Sequence, residues 1–160
     1  VSSAIGLALA QKMDGEDSRT YLFVGDGELN EGQVWEGAMF APFHKLDNLT
    51  MFVDCNDKQL DGTTKDVLDL GDVPAKFKAF GWNVITIDGH DVEAIIAAID
   101  TAHKTKDVPT CVVMNTVKGK GVKFVEEMDL NHHITMNREQ EATALAQLEL
   151  DMEAIERGDV

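Results

Sequence analysis

Cysteine is scarce: Cys55 and Cys111 are the only two in 160 residues. Each lies in or beside an apolar run, which argues against a secreted disulfide scaffold and for the reduced thiols of a cytoplasmic protein. Basic residues are also few. Fourteen Lys and Arg against 29 Asp and Glu leave a net charge of -15, which disfavours nonspecific attraction to nucleic acid or to an anionic membrane. Any anionic ligand therefore has to be captured locally. No apolar run approaches the roughly 18 to 20 residues that span a bilayer, and no segment reads as a cleavable signal. Internal repeats, low-complexity tracts and linkers are absent as well. What is present is a hydrophobic content of 44%, enough for one domain over 1–160 with a sizeable core.

The apolar residues set out an alternating order of helices and strands. Ser2 and Ser3 suit a helix cap, and the helix that follows, through Ala4, Ile5, Leu7, Ala8 and Leu9, is apolar nearly all round, so burial on more than one side is expected. Such a helix directly after Val1 suggests that further segments precede it in the native fold. Tyr21-Leu22-Phe23-Val24 reads as a strand buried on both faces and ended by Gly25-Asp26-Gly27. Asn30 opens a helix carrying Val34, Ala38 and Ala41, which Pro42 discourages from continuing. Leu49 to Val53 is a second buried strand, followed by a polar loop from Asp54 to Lys65. Pro74 suits the first turn of a short helix with Phe77 and Phe80, ended by Gly81. Trp82 to Ile87 forms a third strand. Asp91 caps a helix with Val92, Ile95, Ile96 and Ile99 on one stripe, and Cys111 to Met114 forms a fourth strand. From about Arg138 to Glu156 an amphipathic helix aligns Ala142, Leu145, Leu148, Met152 and Ile155.

Strands alternating with helices require crossover connections, so the expected class is α/β, a mainly parallel sheet with helices on both faces. Ligands of such sheets collect beyond the carboxyl ends of the strands. There Gly25-Asp26-Gly27, Asp54 to Asp61 and Lys118-Gly119-Lys120-Gly121 should converge. Asp26 would emerge between two glycines where backbone can approach a ligand closely; alone, this is also what a plain strand-ending turn looks like. Asn56, at the end of the next strand, adds a neutral oxygen to an anionic one. That pair suits a magnesium ion whose remaining positions are taken by phosphate oxygens. Lys118 and Lys120 do not form a Walker loop, since no Gly-Lys-Ser/Thr follows at the required spacing; a mobile glycine loop over the site is the expectation. Trp35, Trp82 and the phenylalanines are expected in the core, and Cys55 is expected to pack, having no evident activating partner. His44, His90 and His103 read as structural or solvated.

These residues resemble the diphosphate-binding motif of thiamine-diphosphate enzymes, which opens with Gly-Asp-Gly and closes on an Asn loop. Within that superfamily the chain is most similar to transketolase. The similarity is carried, in order, by Gly25 to Gln33, Lys45 to Leu49, Gln59-Leu60-Asp61-Gly62, Asp88-Gly89-His90-Asp91 and Thr116 to Gly121, and it runs from Val1 to about Phe124. The resemblance implies the thiamine-diphosphate-binding fold, with thiamine diphosphate and Mg2+ as cofactors. It implies that Asp26, the Asn56 side chain and the Lys58 carbonyl hold the metal, and that Gly25, Asp26, Gly27 and Asn56 bind the cofactor. Glu31 matches a family glutamate that couples paired active sites across a subunit interface, and it reads equally as a first-turn helix acid favoured by the macrodipole. The family places an active-site histidine after the glycine loop, usually as Trp-His-Gly. Leu130-Asn131-His132-His133 departs from this pattern; His132 aligns best, and a solvated loop is the alternative.

By the same resemblance the reaction would be transfer of a two-carbon ketol unit between sugar phosphates, as in the pentose phosphate pathway. The pyrimidine-binding domain that completes the site has no counterpart in these residues, nor do the glycine-rich loop and substrate histidines that precede the first helix in the family. A partial diphosphate domain is expected, inactive alone and working in a homo- or hetero-oligomer, for example as half of a split transketolase dimer. Deoxyxylulose-phosphate synthase fits less well around Asn30-Glu31-Gly32, and a 2-oxo-acid dehydrogenase component fits less well at Lys118 to Gly121. A non-catalytic assembly partner is the third alternative.

Overall fold

The computed structural model describes residues 1–158; Asp159 and Val160, the end of the domain expected over 1–160, lie outside the described residues. In chain order the elements are α1 (Ser2–Met13), β1 (Thr20–Gly25), a 3₁₀ turn (Gly27–Asn30), α2 (Gly32–Phe43) and β2 (Leu49–Cys55). A small hairpin of β3 (Lys58–Gln59) and β4 (Gly62–Thr63) follows, then α3 (Thr64–Leu68), α4 (Val73–Ala79), β5 (Asn83–Asp88), α5 (Val92–Lys104), β6 (Thr110–Asn115), α6 (Lys123–Glu126) and α7 (Arg138–Arg157). Four strands form one sheet in the order β1-β2-β6-β5, and every pairing in it is parallel. The α/β class expected from the alternation is therefore present.

The register brings the carboxyl ends together: Gly25 pairs with Asp54 and Cys55 with Asn115. The loops after β1, β2 and β6 consequently leave the sheet at one edge. The central strands β2 and β6 are continuous apolar runs because helices lie on both of their faces. On one face α1, α2 and α4 contribute Ile5, Ala8, Val34, Ala38, Ala41 and Phe77 against Met51, Val53, Cys111 and Val113. Phe77 is fully buried, a transfer worth about 2–3 kcal/mol. Trp82 is buried beside it and donates its indole N–H to the Ala38 carbonyl at 2.8 Å. On the other face, among the described residues, α5 covers Phe52, Val112 and Met114 through Ala98 and Ile99.

This one-helix cover accounts for several departures from expectation. β1 is an edge strand whose Tyr21 and Phe23 side chains are exposed on the sparsely covered face, so it is not buried on both sides. Phe23, with Phe40 and Phe43, is among the phenylalanines that do not enter the core. In α5 the buried residues are Ala98 and Ala102, while Val92 and Ile96 of the expected stripe are exposed. α1 buries Ile5 and Ala8 but exposes Leu7; its N-cap is Val1, and Ser2 lies inside the helix with its hydroxyl donated to Gln33. α2 starts later than expected, because residues 27–30 tighten into the 3₁₀ turn and Glu31 becomes the cap; Pro42 sits in its last turn without ending it. α7 forms with the boundaries expected and a full capping box at Asn137, yet Leu145, Leu148, Met152 and Ile155 are exposed and only Ala144 is buried. No helix among the described residues is long and apolar enough to cross a membrane.

Candidate functional site

Beyond the end of β1 the chain adds one more ladder bond, from the Asp26 N–H to the Asp54 carbonyl at 3.0 Å. The Asp26 carboxylate is thereby fixed at the sheet edge and is only 4% exposed. One of its oxygens caps the 3₁₀ turn by accepting from the Gly27 N–H at 2.8 Å, and the other accepts from the Asp57 N–H at 2.7 Å. The second bond joins the loop after β1 to the loop after β2. It requires Asp57 to adopt a left-handed conformation, φ 57°, which Asp tolerates better than most residues. Thr64 holds Asp57 there with its hydroxyl and its N–H. Burial raises the Asp26 carboxyl above its ordinary value, the two N–H donors oppose that, and the Asp54 and Asp57 charges add to it. A divalent cation at this edge would reverse the shift.

Asn56 is held within its own loop. Its Nδ2 donates to Asp54 at 3.0 Å, and its Oδ1 accepts from the Lys58 N–H at 3.1 Å. The Lys58 ammonium donates to the Glu126 and Met128 carbonyls at 3.1 and 2.6 Å, tying the hairpin to the segment after β6. Gly27 packs against Gln59: a methyl group there would lie 2.9 Å from the Gln59 Cβ.

Gly25, Asp26, Gly27, Glu31, Asn56, Lys58 and His132 all line one cleft of about 360 Å³. His132 lies with its Nδ1 3.1 Å from the Lys118 ammonium, and His133 meets it edge-on. Glu31 caps α2 without a side-chain hydrogen bond, so its carboxylate is exposed at the cleft instead of being used at the helix end. His44 lies tilted against Phe40 and His103 contacts the Tyr21 hydroxyl, both away from the cleft. His90 is structural in a specific way: its Nε2 accepts from the Val117 N–H at 2.8 Å and fixes the start of the Lys118 loop. Cys55 is half-buried, and its thiol is pushed up to about 11 by burial and by the Asp26 and Asp54 charges, which makes it inert packing.

Several contributors lie in the similarity blocks without having been assigned a role. Glu28 accepts from the Gly25 N–H at 2.9 Å, and Gln59 and Leu60 complete the cleft wall. The turn-forming pair Asn56-Asp57 was the available signal for the left-handed residue. The cleft is acidic, with Asp26, Glu28, Glu31 and Asp54 against Lys58 and Lys118. An anion entering it therefore needs a cation. Among the described residues no three His, Cys, Asp or Glu side chains gather as a metal centre. The side-chain oxygens available are instead one carboxylate, of Asp26, and one amide, of Asn56, and each bonded oxygen keeps a lone pair. This set fits a hard cation that takes its other ligands from phosphate and water.

Residues 1–155 match the family model for the transketolase thiamine diphosphate binding domain. The chain belongs to the transketolase family. Among curated transketolase relatives, the 6-deoxy-6-sulfo-D-fructose transketolase subunit SqwG of Clostridium sp. is 41% identical over 92% of this chain and 54% of its own. An apulose-4-phosphate transketolase subunit of Phocaeicola vulgatus is 36% identical over 98% of this chain and 56% of its own. The chain thus spans about half the length of these relatives. The transketolase of Pichia stipitis in complex with sedoheptulose-7-phosphate superposes with a TM-score of 0.71 at 27% identity, covering 96% of this chain and 28% of that one.

Proposed function

We propose that residues 1–160 form a single diphosphate-binding domain that acts as the thiamine diphosphate and Mg2+ half of a transketolase, completed by a pyrimidine-binding domain on a partner chain. The observation that carries this reading is the buried Asp26 carboxylate bridging the loops after β1 and β2, with Asn56 beside it at the edge of an acidic cleft. Similarity to proteins described as transketolase subunits supports a two-chain enzyme, homo- or hetero-oligomeric. Sugar phosphates would be the substrates, and the cytoplasm the compartment, in keeping with two free thiols.

Asp26, Asn56 and the Lys58 carbonyl would hold the metal, the two side chains through the lone pairs left by their present hydrogen bonds. Gly25, with no atom where a side chain would stand, leaves backbone open for close approach of the diphosphate, and Gly27 would bind it from the same cleft. His132 and Lys118 would face the anionic ligand from the opposite wall, and Glu31 would lie at the subunit contact. Thiamine diphosphate, when bound, supplies the carbon nucleophile and electron sink for ketol transfer. In this reading the pyrimidine-binding domain comes from the partner chain, and the chain is inactive without it.

Calorimetry with thiamine diphosphate and Mg2+ tests the site. Saturable heat is expected for the native chain, and Asp26→Ala should bind at least about 10- to 100-fold more weakly, the loss typical even of an outer-shell partner. Equal heats for the two proteins would remove the reading. Ketol transfer should appear only after the partner chain is added; robust turnover without it would contradict inactivity alone.

A further inference from the structure

Asn131 is a buried amide in an exposed stretch. It is 5% exposed, while Leu130, His132 and His133 are open to solvent. Its Nδ2 donates to the Lys118 carbonyl at 3.1 Å and to the Val125 carbonyl at 2.9 Å. Its Oδ1 is buried with no partner among the described residues. Turning the amide over would set that oxygen against two carbonyls, so the donors decide its orientation. A bare buried oxygen is unfavourable. The residue type here is therefore set by the two hydrogens it gives.

Those hydrogens brace a loop whose own backbone bonds are local. Lys118 to Gly121 contains two glycines with positive φ, 84° and 92°, and the bonds from Lys120 to Val117 and from Val122 to Gly119 stay within the loop and its immediate flanks. Asn131 ties the loop to the segment carrying His132, its neighbour in sequence. The result is seen on the cleft wall, where the Lys118 ammonium and His132 Nδ1 lie 3.1 Å apart. The glycines alone suggest a mobile loop; the structure holds its start from both sides, His90 at Val117 and Asn131 at Lys118.

We propose that Asn131 is a positioning residue that locks Lys118 and His132 side by side, so that the ammonium and the imidazole meet an anionic ligand of the cleft together. This rests on the cleft being the diphosphate site. It also gives a role to the place where the chain departs from Trp-His-Gly, since an amide can clamp two carbonyls and an indole cannot.

The test compares native protein with Asn131→Leu, which keeps the approximate shape and removes both donors and the bare oxygen, and with Lys118→Ala in each background. Binding of Mg2+–thiamine diphosphate should weaken about tenfold in Asn131→Leu, with a melting temperature near native. Lys118→Ala should weaken native binding by a similar factor but add little to Asn131→Leu, because an unplaced lysine has nothing more to lose. Without ligand, amide exchange at Lys120 and Gly121 should quicken about tenfold in Asn131→Leu. Native affinity in Asn131→Leu, or full additivity with Lys118→Ala, overturns the proposal and leaves the cofactor site standing. Absence of binding by the native chain overturns both.

Discussion

Gly27 has no space for even a methyl group, since Gln59 Cβ would stand 2.9 Å from it. The atom in the way is close to the backbone, so Gly27→Ala has to displace the β3 hairpin. The expected outcome is a loss of about 1–2 kcal/mol in stability, within the usual range for an overpacked site, and weaker thiamine diphosphate binding, because Asn56 and Lys58 move with the hairpin. Urea denaturation and calorimetry on the one variant check both. Native affinity would show that the hairpin yields without disturbing its loop. At this scale the sequence was informative about chemistry: Asp26, Asn56, Lys58, Glu31 and His132 meet in one cleft. It was silent about partners. That Asp26 is satisfied by the Asp57 N–H depends on a left-handed backbone at residue 57, and that Lys58 spends its charge on two carbonyls depends on a segment some seventy residues away.

Among the elements, α5 shows local and tertiary control separately. Asp91 caps it as its position suggests, accepting from the Ala94 N–H at 3.1 Å. Asp91→Ala should therefore cost about 1 kcal/mol, read as a lower urea midpoint with an unchanged slope. A changed slope would mean that more than the cap is lost. The stripe on the same helix was legible as a period but not as burial: Val92 and Ile96 are exposed, and the helix buries Ala98 and Ala102 instead. α7 repeats the lesson, with boundaries close to those expected from its apolar spacing and the stripe itself left uncovered. β1 differs for a topological reason. Order β1-β2-β6-β5 makes it an edge, and a run such as Tyr21 to Val24 looks the same at an edge as at the centre.

Over the whole molecule the net charge of -15 leaves few cations. At the end of the sheet opposite the cleft, Lys12 reaches Asp47 at 2.6 Å, joining α1 to the approach to β2. Burial raises the Asp47 carboxyl, but the Lys12 ammonium and the Asp107 N–H outweigh it, so the group lies below its ordinary value of 3.8. A depressed carboxyl stabilises the fold above its unfolded-state value and loses that contribution as pH falls through the folded one. Asp47→Asn should therefore be less stable than native by on the order of 1 kcal/mol at pH 7, with the gap closing as pH falls below about 4. A gap that stays constant down to about pH 2, below the ordinary carboxylate range, would assign the loss to packing. By itself the sequence determined the α/β alternation, the strand-end glycines and the family, because those depend on local periodicity and on short motifs. Which strand lies at the edge, which apolar stripes are covered, and how Asp26, Lys58 and Asn131 are held were decided only by tertiary structure, because each depends on contacts between residues far apart in the chain.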